Sequence, residues 1–391
     1  MTPDKTIPVQ DWMASAGATQ IFEALGEENA LFVGGCVRNA LLDKDVDDID
    51  LATKTSPEDV TDKLEVAGIK VIPTGIEHGT VTAVIDGKPF EITTLRKDIE
   101  TDGRRATVAF TDDWAEDARR RDFTMNTLLA DQAGNIFDPL GQGIADLEAR
   151  KVVFVGEPSE RIEEDYLRIL RYFRFHALYA HGEPDADALI ACSEAAGQIK
   201  TLSRERITQE MFKILSVDAP AKILKLMNDN NILADIIHVE DEFLTIRHVS
   251  KFQCDYNLRF LASRFLVLAD FEDKNIEKMQ DYILFPKVFL KDMAAIQNVL
   301  ALPDLSDEKT VKTAIYKHGR VPTAQALMIE LAQDRVMNGY APKALDIVQN
   351  WDVPNFPLSG EDLMKEGFEA GPELGAELNR RQEAWIANGF K

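Results

Sequence analysis

The sequence predicts a mixed α/β N-terminal domain followed by an all-helical C-terminal half, and three observations carry that expectation. A short apolar run, Ala30 to Val33, ends at Gly34-Gly35 and passes into Cys36 to Leu42, which reads as one or two helical turns, so a tight strand-to-helix turn sits at the glycines. Two β-type runs, His78 to Ile85 and Pro89 to Leu95, meet across Asp86-Gly87, a strong hairpin signal. Beyond Ser203 the chain shows only alternating apolar and charged helical faces with short polar connections.

Taken in order, Val9 to Leu25 predicts an amphipathic helix with Trp12, Ala16, Ile21 or Phe22, and Leu25 on a shared face. Ser56 to Ala67 starts with a mechanism: Ser56 as N-cap, Pro57 at the first helical position, Glu58 and Asp59 in the first turn. After the hairpin, Arg96 to Asp117 turns polar, with Asp102-Gly103-Arg104-Arg105 at its tip, and reads as a surface loop. A helix is expected from Met125, with Asp122 or Thr124 as its cap. Asp138-Pro139-Leu140-Gly141 and Gly143 mark a domain junction, and Lys151 to Val155 reads as a strand.

Glu160 to Ala177 reads as one helix by its periodicity. It places Asp165 and Arg168 three apart on one face, with Arg161 and Arg171 near the same stripe. Leu202 with Ser203-Arg204-Glu205-Arg206 reads as a capped helix start. Near the end, Leu358-Ser359-Gly360 and Gly371-Pro372 open two further helices, whose N-termini suit phosphate binding. The segments expected are 1–147, 148–215 and 216–391.

A chain of 391 residues with 45% apolar and 28% charged residues buries a substantial core and divides into two or more domains of a soluble protein. No apolar run approaches the roughly 18 residues a membrane span needs, and MTPDKTIPVQDW lacks a basic region followed by a hydrophobic one, so no membrane partner and a cytoplasmic location are expected. Cys36, Cys192 and Cys254 are odd in number and scattered, which predicts small buried thiols rather than a disulfide framework or a zinc site. With 67 acidic against 44 basic residues the net charge is −23, which opposes general affinity for nucleic acid. RNA binding would rest on local basic patches and be salt-sensitive; Arg259, Arg264, Lys274, Lys278, Lys287, Lys291, Lys309 and Lys312 are the basic side chains offered. Nothing in the sequence sets the oligomeric state.

The chemistry begins at Asp48 and Asp50. If this piece is extended, its period of two puts both carboxylates on one face, where they repel unless a hard cation such as Mg²⁺ lies between them. A glycine-lined anion cradle beside such a pair suits a metal-bound nucleoside triphosphate. Glu91, between Phe90 and Ile92, is either a solvent-facing strand residue or a third carboxylate. Arg119 to Asp131, RRRDFTMNTLLAD, offers fixed guanidinium donors of the kind a triphosphate requires.

GGCVRNALL followed by DIDLAT resembles the signature of the tRNA nucleotidyltransferase and poly(A) polymerase family, in the bacterial-type (class II) branch of the polymerase-beta-like nucleotidyltransferases. RRDFTMN, the run from Asp138-Pro139 to Asp146-Leu147, Glu164-Asp165-Tyr166-Leu167-Arg168 and the Ser203-Arg204-Glu205-Arg206 segment resemble further motifs of that family. Asn39 stands where many members carry Asp, so an ion pair from Arg38 to its neighbour is not expected.

The resemblance implies a polymerase-beta-like palm or head at 1–147, a helical neck for base recognition at 148–215, and an RNA-binding body and tail at 216–391, the tail on the tRNA elbow. It implies that Asp48 and Asp50 hold Mg²⁺, that Glu91 joins them, and that Gly34, Gly35, Arg38, Arg121, Asn126 and Arg171 bind nucleotide. Asp122 is then the acceptor for a ribose hydroxyl, while Asp165 and Arg168 read the Watson-Crick edge of the base. The loop after Arg96 is expected beside the active site. The implied reaction is template-independent addition of CCA to the 3′ end of tRNA from CTP and ATP, releasing pyrophosphate. A poly(A) polymerase, or an enzyme adding only CC or only A, would share these motifs. A non-catalytic RNA-binding protein is disfavoured by the acidic charge and by the intact Asp48 and Asp50.

Overall fold

The computed structural model describes residues 1–76, 79–102, 105–237, 243–333 and 339–391. His78, at the head of the first expected hairpin strand, and Gly103-Arg104 of the expected loop tip lie outside the described residues. Two compact units divide the chain: Met1–Glu210 with Leu226–Ile232, and Met211–Lys225 with Leu233–Lys391.

The first unit opens with β1 (Lys5–Thr6), α1 (Ala16–Leu25), β2 (Ala30–Val33), α2 (Gly35–Leu41), β3 (Asp50–Thr53) and α3 (Pro57–Val66). Then come β4 (Lys70–Gly75), β5 (Thr80–Ile85), β6 (Lys88–Thr94), β7 (Arg96–Asp102), β8 (Arg105–Phe110), α4 (Trp114–Arg119), β9 (Leu129–Ala130) and β10 (Asn135–Phe137). Helices α5 (Gly143–Glu148), α6 (Pro158–Glu164), α7 (Leu167–Tyr179) and α8 (Ala186–Glu194) follow, and α9 (Arg204–Ser216) belongs to the first unit up to Glu210 and to the second from Met211. The main sheet runs β1-β10-β9-β2-β3-β6-β5-β4, with β3 and β6 parallel and the other neighbours antiparallel.

Strand β2 is buried throughout because both of its faces are covered. Phe32 packs on Trp12 and Phe22, with ring centroids 4.7 and 4.9 Å away. Its neighbours Leu31 and Val33 face the other way, into a cluster with Ala52, Leu95, Trp114, Leu129 and Phe137. That double burial fixes the end of the strand from which the Gly34-Gly35 turn departs. The hairpin forms as its sequence predicts: Asp86 and Gly87 take φ of 51° and 77°, the left-handed pair that suits the twist of the flanking strands. Ser56 caps α3 by accepting from the Asp59 N–H at 3.1 Å.

Several expectations fail for identifiable reasons. Helix α1 begins at Ala16 rather than Val9, because Ser15 caps it and Trp12 lies in the turns before it. The loop expected over Arg96 to Asp117 instead holds two paired strands, Arg96–Asp102 and Arg105–Phe110, in register from Arg96↔Phe110 to Asp102↔Arg105, and then the start of α4 at Trp114; the many charges of this stretch hide the alternation by which strands are recognised. The helix expected from Met125 is a single 3-10 turn, Thr124–Asn126, and Phe154 makes one isolated bridge to Phe123 in place of a strand at 151–155. The helix expected over 160–177 is two helices, interrupted at Asp165, whose backbone is extended at φ −157° and ψ 104°.

The rest of the chain is helical: α10 (Pro220–Asp229), α11 (Leu244–Asp255), α12 (Leu261–Leu268), α13 (Asp273–Met279) and α14 (Lys287–Leu300), then α15 (Glu308–His318), α16 (Arg320–Ala332), α17 (Ala341–Asn350), α18 (Gly360–Lys365) and α19 (Pro372–Ala387). Arg264 is removed from the basic side chains offered to RNA. It is 2% exposed and donates to Gln253 Oε1 at 2.8 Å and to the carbonyls of Leu215 and Val217, so it fastens α12 within the second unit. Cys36 and Cys192 are buried as expected, whereas Cys254 is exposed. Among the described residues no helix is long and apolar enough to cross a membrane.

Candidate active site

The strand-to-helix turn lines a cleft of about 480 Å³ in the first unit. Gly34 has φ 73° and ψ −117°, a conformation that costs any side-chain-bearing residue free energy, and its N–H donates to Leu128 O at 3.2 Å. Its own amide is therefore committed, and an anion here would meet the first-turn amides of α2, which have no intrahelical acceptors.

Asp50 opens β3 and lines the cleft, and Glu91 is its direct partner across the parallel β3–β6 ladder, so both side chains leave the same face of the sheet. Asp48 lies in the irregular stretch before β3, is exposed, and is absent from the cleft lining. Its charge still reaches Asp50. Burial, then Glu91, then Asp48 push the Asp50 carboxyl up to about 6, against a smaller opposing pull from Arg121. Carboxylates crowded this way, with hard oxygen donors, fit a small divalent cation that completes its shell with water and substrate phosphate. Among the described residues no group of three or more His, Cys, Asp and Glu side chains is placed to hold a metal by itself.

The cationic wall is set by α4 and the segment after it. Asp117, nearly buried, takes Arg121 Nε and Nη2 at 3.1 and 2.9 Å, and its other oxygen accepts from the Arg96 N–H at 3.3 Å. Arg121 is thereby aimed from the foot of the β7–β8 ribbon. Asp122 sits deeper: Oδ1 accepts from the Phe123 N–H and from Asn126 Nδ2, both at 2.9 Å, and Oδ2 accepts from Arg171 Nε at 2.7 Å and Nη2 at 2.5 Å. Burial alone would raise the Asp122 carboxyl, but Arg171 and the Asn126 and Phe123 donors outweigh it and hold it below its usual range. A carboxylate has about four lone-pair sites, so this one has none left for a ribose hydroxyl. Its evident task is to fix Arg171.

Asn126 is also engaged, its Oδ1 accepting from Arg38 Nη1 at 2.6 Å. Arg38 donates further to Asn39 Oδ1 and to Tyr179 Oη at 2.8 Å, with its guanidinium 4.3 Å from the Tyr179 ring centroid. As expected, no ion pair joins Arg38 to Asn39. A continuous hydrogen-bonded chain thus runs Tyr179, Arg38, Asn126, Asp122, Arg171. It ties the helix after the glycine turn to α7, beside a buried aromatic cluster in which Phe123 lies 5.0 Å from both Phe154 and Phe175.

Asp165 and Arg168 line the same cleft, and although the Arg168 N–H donates to the Asp165 carbonyl at 2.9 Å, their side chains hold different partners. Asp165 Oδ1 accepts from the Leu167 N–H at 3.1 Å, and Oδ2 from Arg206 Nη2 at 2.7 Å. Arg168 donates to Glu164 Oε2 at 2.5 Å and to Arg161 O at 2.6 Å. Of the residues singled out from sequence, Gly34, Gly35, Arg38, Asp50, Glu91, Arg121, Asp122, Asn126, Asp165, Arg168 and Arg171 converge on this one cleft. Asp48 does not line it, because the strand expected to put both carboxylates on one face begins only at Asp50, and it acts on the site through its charge on Asp50. Sequence reasoning missed Asp117 and the partnership of Arg206. The i,i+4 spacing of Asp117 and Arg121 was the available signal for the first; nothing local signals the second.

Comparison with known proteins places this arrangement. Residues 30–153 match the family described as Poly A polymerase head domain, and residues 183–239 the one described as probable RNA and SrmB-binding site of polymerase A. The chain is 34% identical over 391 residues to the CCA tRNA nucleotidyltransferase 1, mitochondrial, of Danio rerio, covering 96% of this chain and 87% of that protein. It is 31% identical over 389 residues to the CCA-adding enzyme of Streptococcus gordonii, covering 98% and 92%. Among solved structures, the Bacillus stearothermophilus CCA-adding enzyme in complex with CTP superposes with a TM-score of 0.79 at 26% identity, over 99% of this chain and 94% of that one.

Proposed function

This chain belongs to the tRNA nucleotidyltransferase and poly(A) polymerase family, and from that membership we infer that it adds CCA to the 3′ end of tRNA. It uses CTP and ATP without a template strand and releases pyrophosphate. The observation that supports this reading best is the single cleft in which carboxylates, phosphate-directed arginines and base-facing groups meet.

Enzymes of this family generally use divalent metal ions. We assign Asp48 and Asp50 as the carboxylates that would hold Mg²⁺, which when bound supplies activation of the terminal 3′-hydroxyl and charge neutralisation on the triphosphate. Glu91, at the same rung as Asp50, adds negative charge that draws the cation in. Arg121, preset by Asp117, and Arg171, preset by Asp122, donate to phosphate oxygens with little reorganisation. Gly34 lets the backbone turn sharply enough for the triphosphate to lie against the start of α2. Arg38 and Asn126 serve this wall by holding Asp122. We assign 1–147 as the head, 148–215 as the neck and 216–391 as the RNA-binding body and tail. We also propose a cytoplasmic location, which recovery of the tagged chain with organelles would overturn.

Base choice falls to Asp165 and Arg168. Cytosine and adenine each present an amino group beside a ring acceptor, while uracil and guanine present the reverse. A carboxylate opposite the amino group and a guanidinium opposite the ring nitrogen therefore select the first pair. Asp165→Ala should lower the preference for CTP over UTP by roughly tenfold or more; single-addition kinetics with both triphosphates check this. The reaction itself is tested by incubating the purified protein with tRNA lacking its 3′ CCA and labelled triphosphates, then sequencing the new end. Two cytidines followed by one adenosine is the expected result; long adenosine tails from ATP alone, or no addition at all, would overturn the assignment.

A further inference from the structure

Arg206 reaches the cleft from α9 and touches the base-facing carboxylate directly. Its Nη2 donates to Asp165 Oδ2 at 2.7 Å while the Leu167 N–H donates to Oδ1 at 3.1 Å, so the carboxylate is gripped at both oxygens and its plane is fixed against the start of α7. Each oxygen keeps a further lone pair, the acceptor that a base amino group needs. The pair is solvent-accessible, with side-chain exposures of 45% for Arg206 and 31% for Asp165. Ion pairs this exposed contribute little to folding. A contact of small value to stability, placed on the group that reads the base, serves orientation.

We propose that Arg206 is a specificity-determining positioning residue, holding Asp165 in the rotamer that accepts bases with an exocyclic amino group and rejects bases with a carbonyl there. The inference rests on the reading of Asp165 as a base contact. With the carboxylate held, uracil O4 or guanine O6 would face a second acceptor with no proton between them. Without Arg206, only the Leu167 N–H still holds Asp165, so the carboxylate can swing about that one contact at the interruption between α6 and α7, and the penalty on the wrong base falls. The ratio between nucleotides, rather than the overall rate, is the quantity that changes.

The test is single-addition kcat/KM with CTP, UTP, ATP and GTP for the wild type, Asp165→Ala, Arg206→Ala, Arg206→Met and Arg206→Lys, each with its melting temperature. Arg206→Met keeps the aliphatic stem without the donor, so the ratio is read even if the alanine variant folds poorly. The expected result is a roughly tenfold loss of CTP-over-UTP and ATP-over-GTP preference in Arg206→Ala and Arg206→Met, with part of it restored in Arg206→Lys, whose ammonium still donates to Oδ2. Preference retained in the Arg206 variants but lost in Asp165→Ala overturns the role of Arg206 alone. Preference retained in every variant overturns the base-contact reading beneath it. An equal fall with all four nucleotides, unrepaired by lysine, makes Arg206 a purely structural residue and also overturns the proposal.

Discussion

Replacing Asp50 by asparagine should abolish nucleotide addition and at the same time raise the melting temperature of the metal-free protein at pH 8. The Asp50 carboxyl is pushed from 3.8 to about 6, chiefly by burial and then by Glu91 and Asp48. A carboxylate raised in the folded state has its stabilising protonated form in full below the unfolded value, and that contribution is lost as pH rises through about 6. At pH 8 the ionised group therefore works against the fold, by about 2 kcal/mol after allowance for solvent screening. Asparagine removes that charge, so the variant should melt several degrees higher at pH 8 and match the wild type below about pH 4. Mg²⁺ should raise the wild-type melting temperature at pH 8 and leave the variant unmoved. An active variant, or one that melts earlier at pH 8, contradicts the assignment of Asp50. In the wild type the same shift makes addition fall off as pH drops through about 6, because the protonated carboxyl no longer attracts a cation.

Asp122→Ala should be the most damaging single change to the fold of the first unit. It would strip acceptors from Arg171, Asn126 and the Phe123 N–H together, leaving a partly buried guanidinium and a buried amide without their partner. Removing one member of a buried ion pair costs on the order of 3 kcal/mol or more. Chemical denaturation should show a loss of that order, with the slope of unfolding free energy against denaturant unchanged. Asp165→Ala, which breaks the exposed contact to Arg206 and removes the acceptor of the Leu167 N–H at the start of α7, should cost only about 1 kcal/mol. Equal stability losses for the two variants would contradict the buried chain from Tyr179 to Arg171.

The parts of this site that sequence reveals are those where chemistry demands fixed residue types close together in the chain. Asp48-Ile49-Asp50 and Arg120-Arg121-Asp122-Phe123-Thr124 are of that kind, and Asp50, Arg120, Arg121 and Asp122 come to one cleft, whereas Asp48 stays outside both the strand pairing and the cleft lining. Glu91 was legible only in outline: a glutamate among β-formers is ordinary, and its meaning comes from the register that sets it opposite Asp50. The interruption at Asp165 was not legible. No proline or glycine marks it, and the apolar periodicity continues across it, so only the backbone angles of one residue separate one helix from two. Arg206 and Asp165 are 41 positions apart, and such a pair of common residues leaves no local pattern. The ribbon from Arg96 to Phe110 was masked by its own charge. The double role of Asp122 was masked by its resemblance to a ligand contact, when its lone pairs are spent on the protein.

That one interrupted residue also separates two lines of mechanical control. Asp165 follows α9 through Arg206, whereas Arg168 follows α6 through Glu164 and the Arg161 carbonyl. A drift between those helices would change the angle between a hydrogen-bond acceptor and a donor at the cleft. On the proposed reading of Asp165 and Arg168 as the base contacts, a pyrimidine and a purine, which differ in where their matching groups project, would be told apart by the bearing of these two side chains.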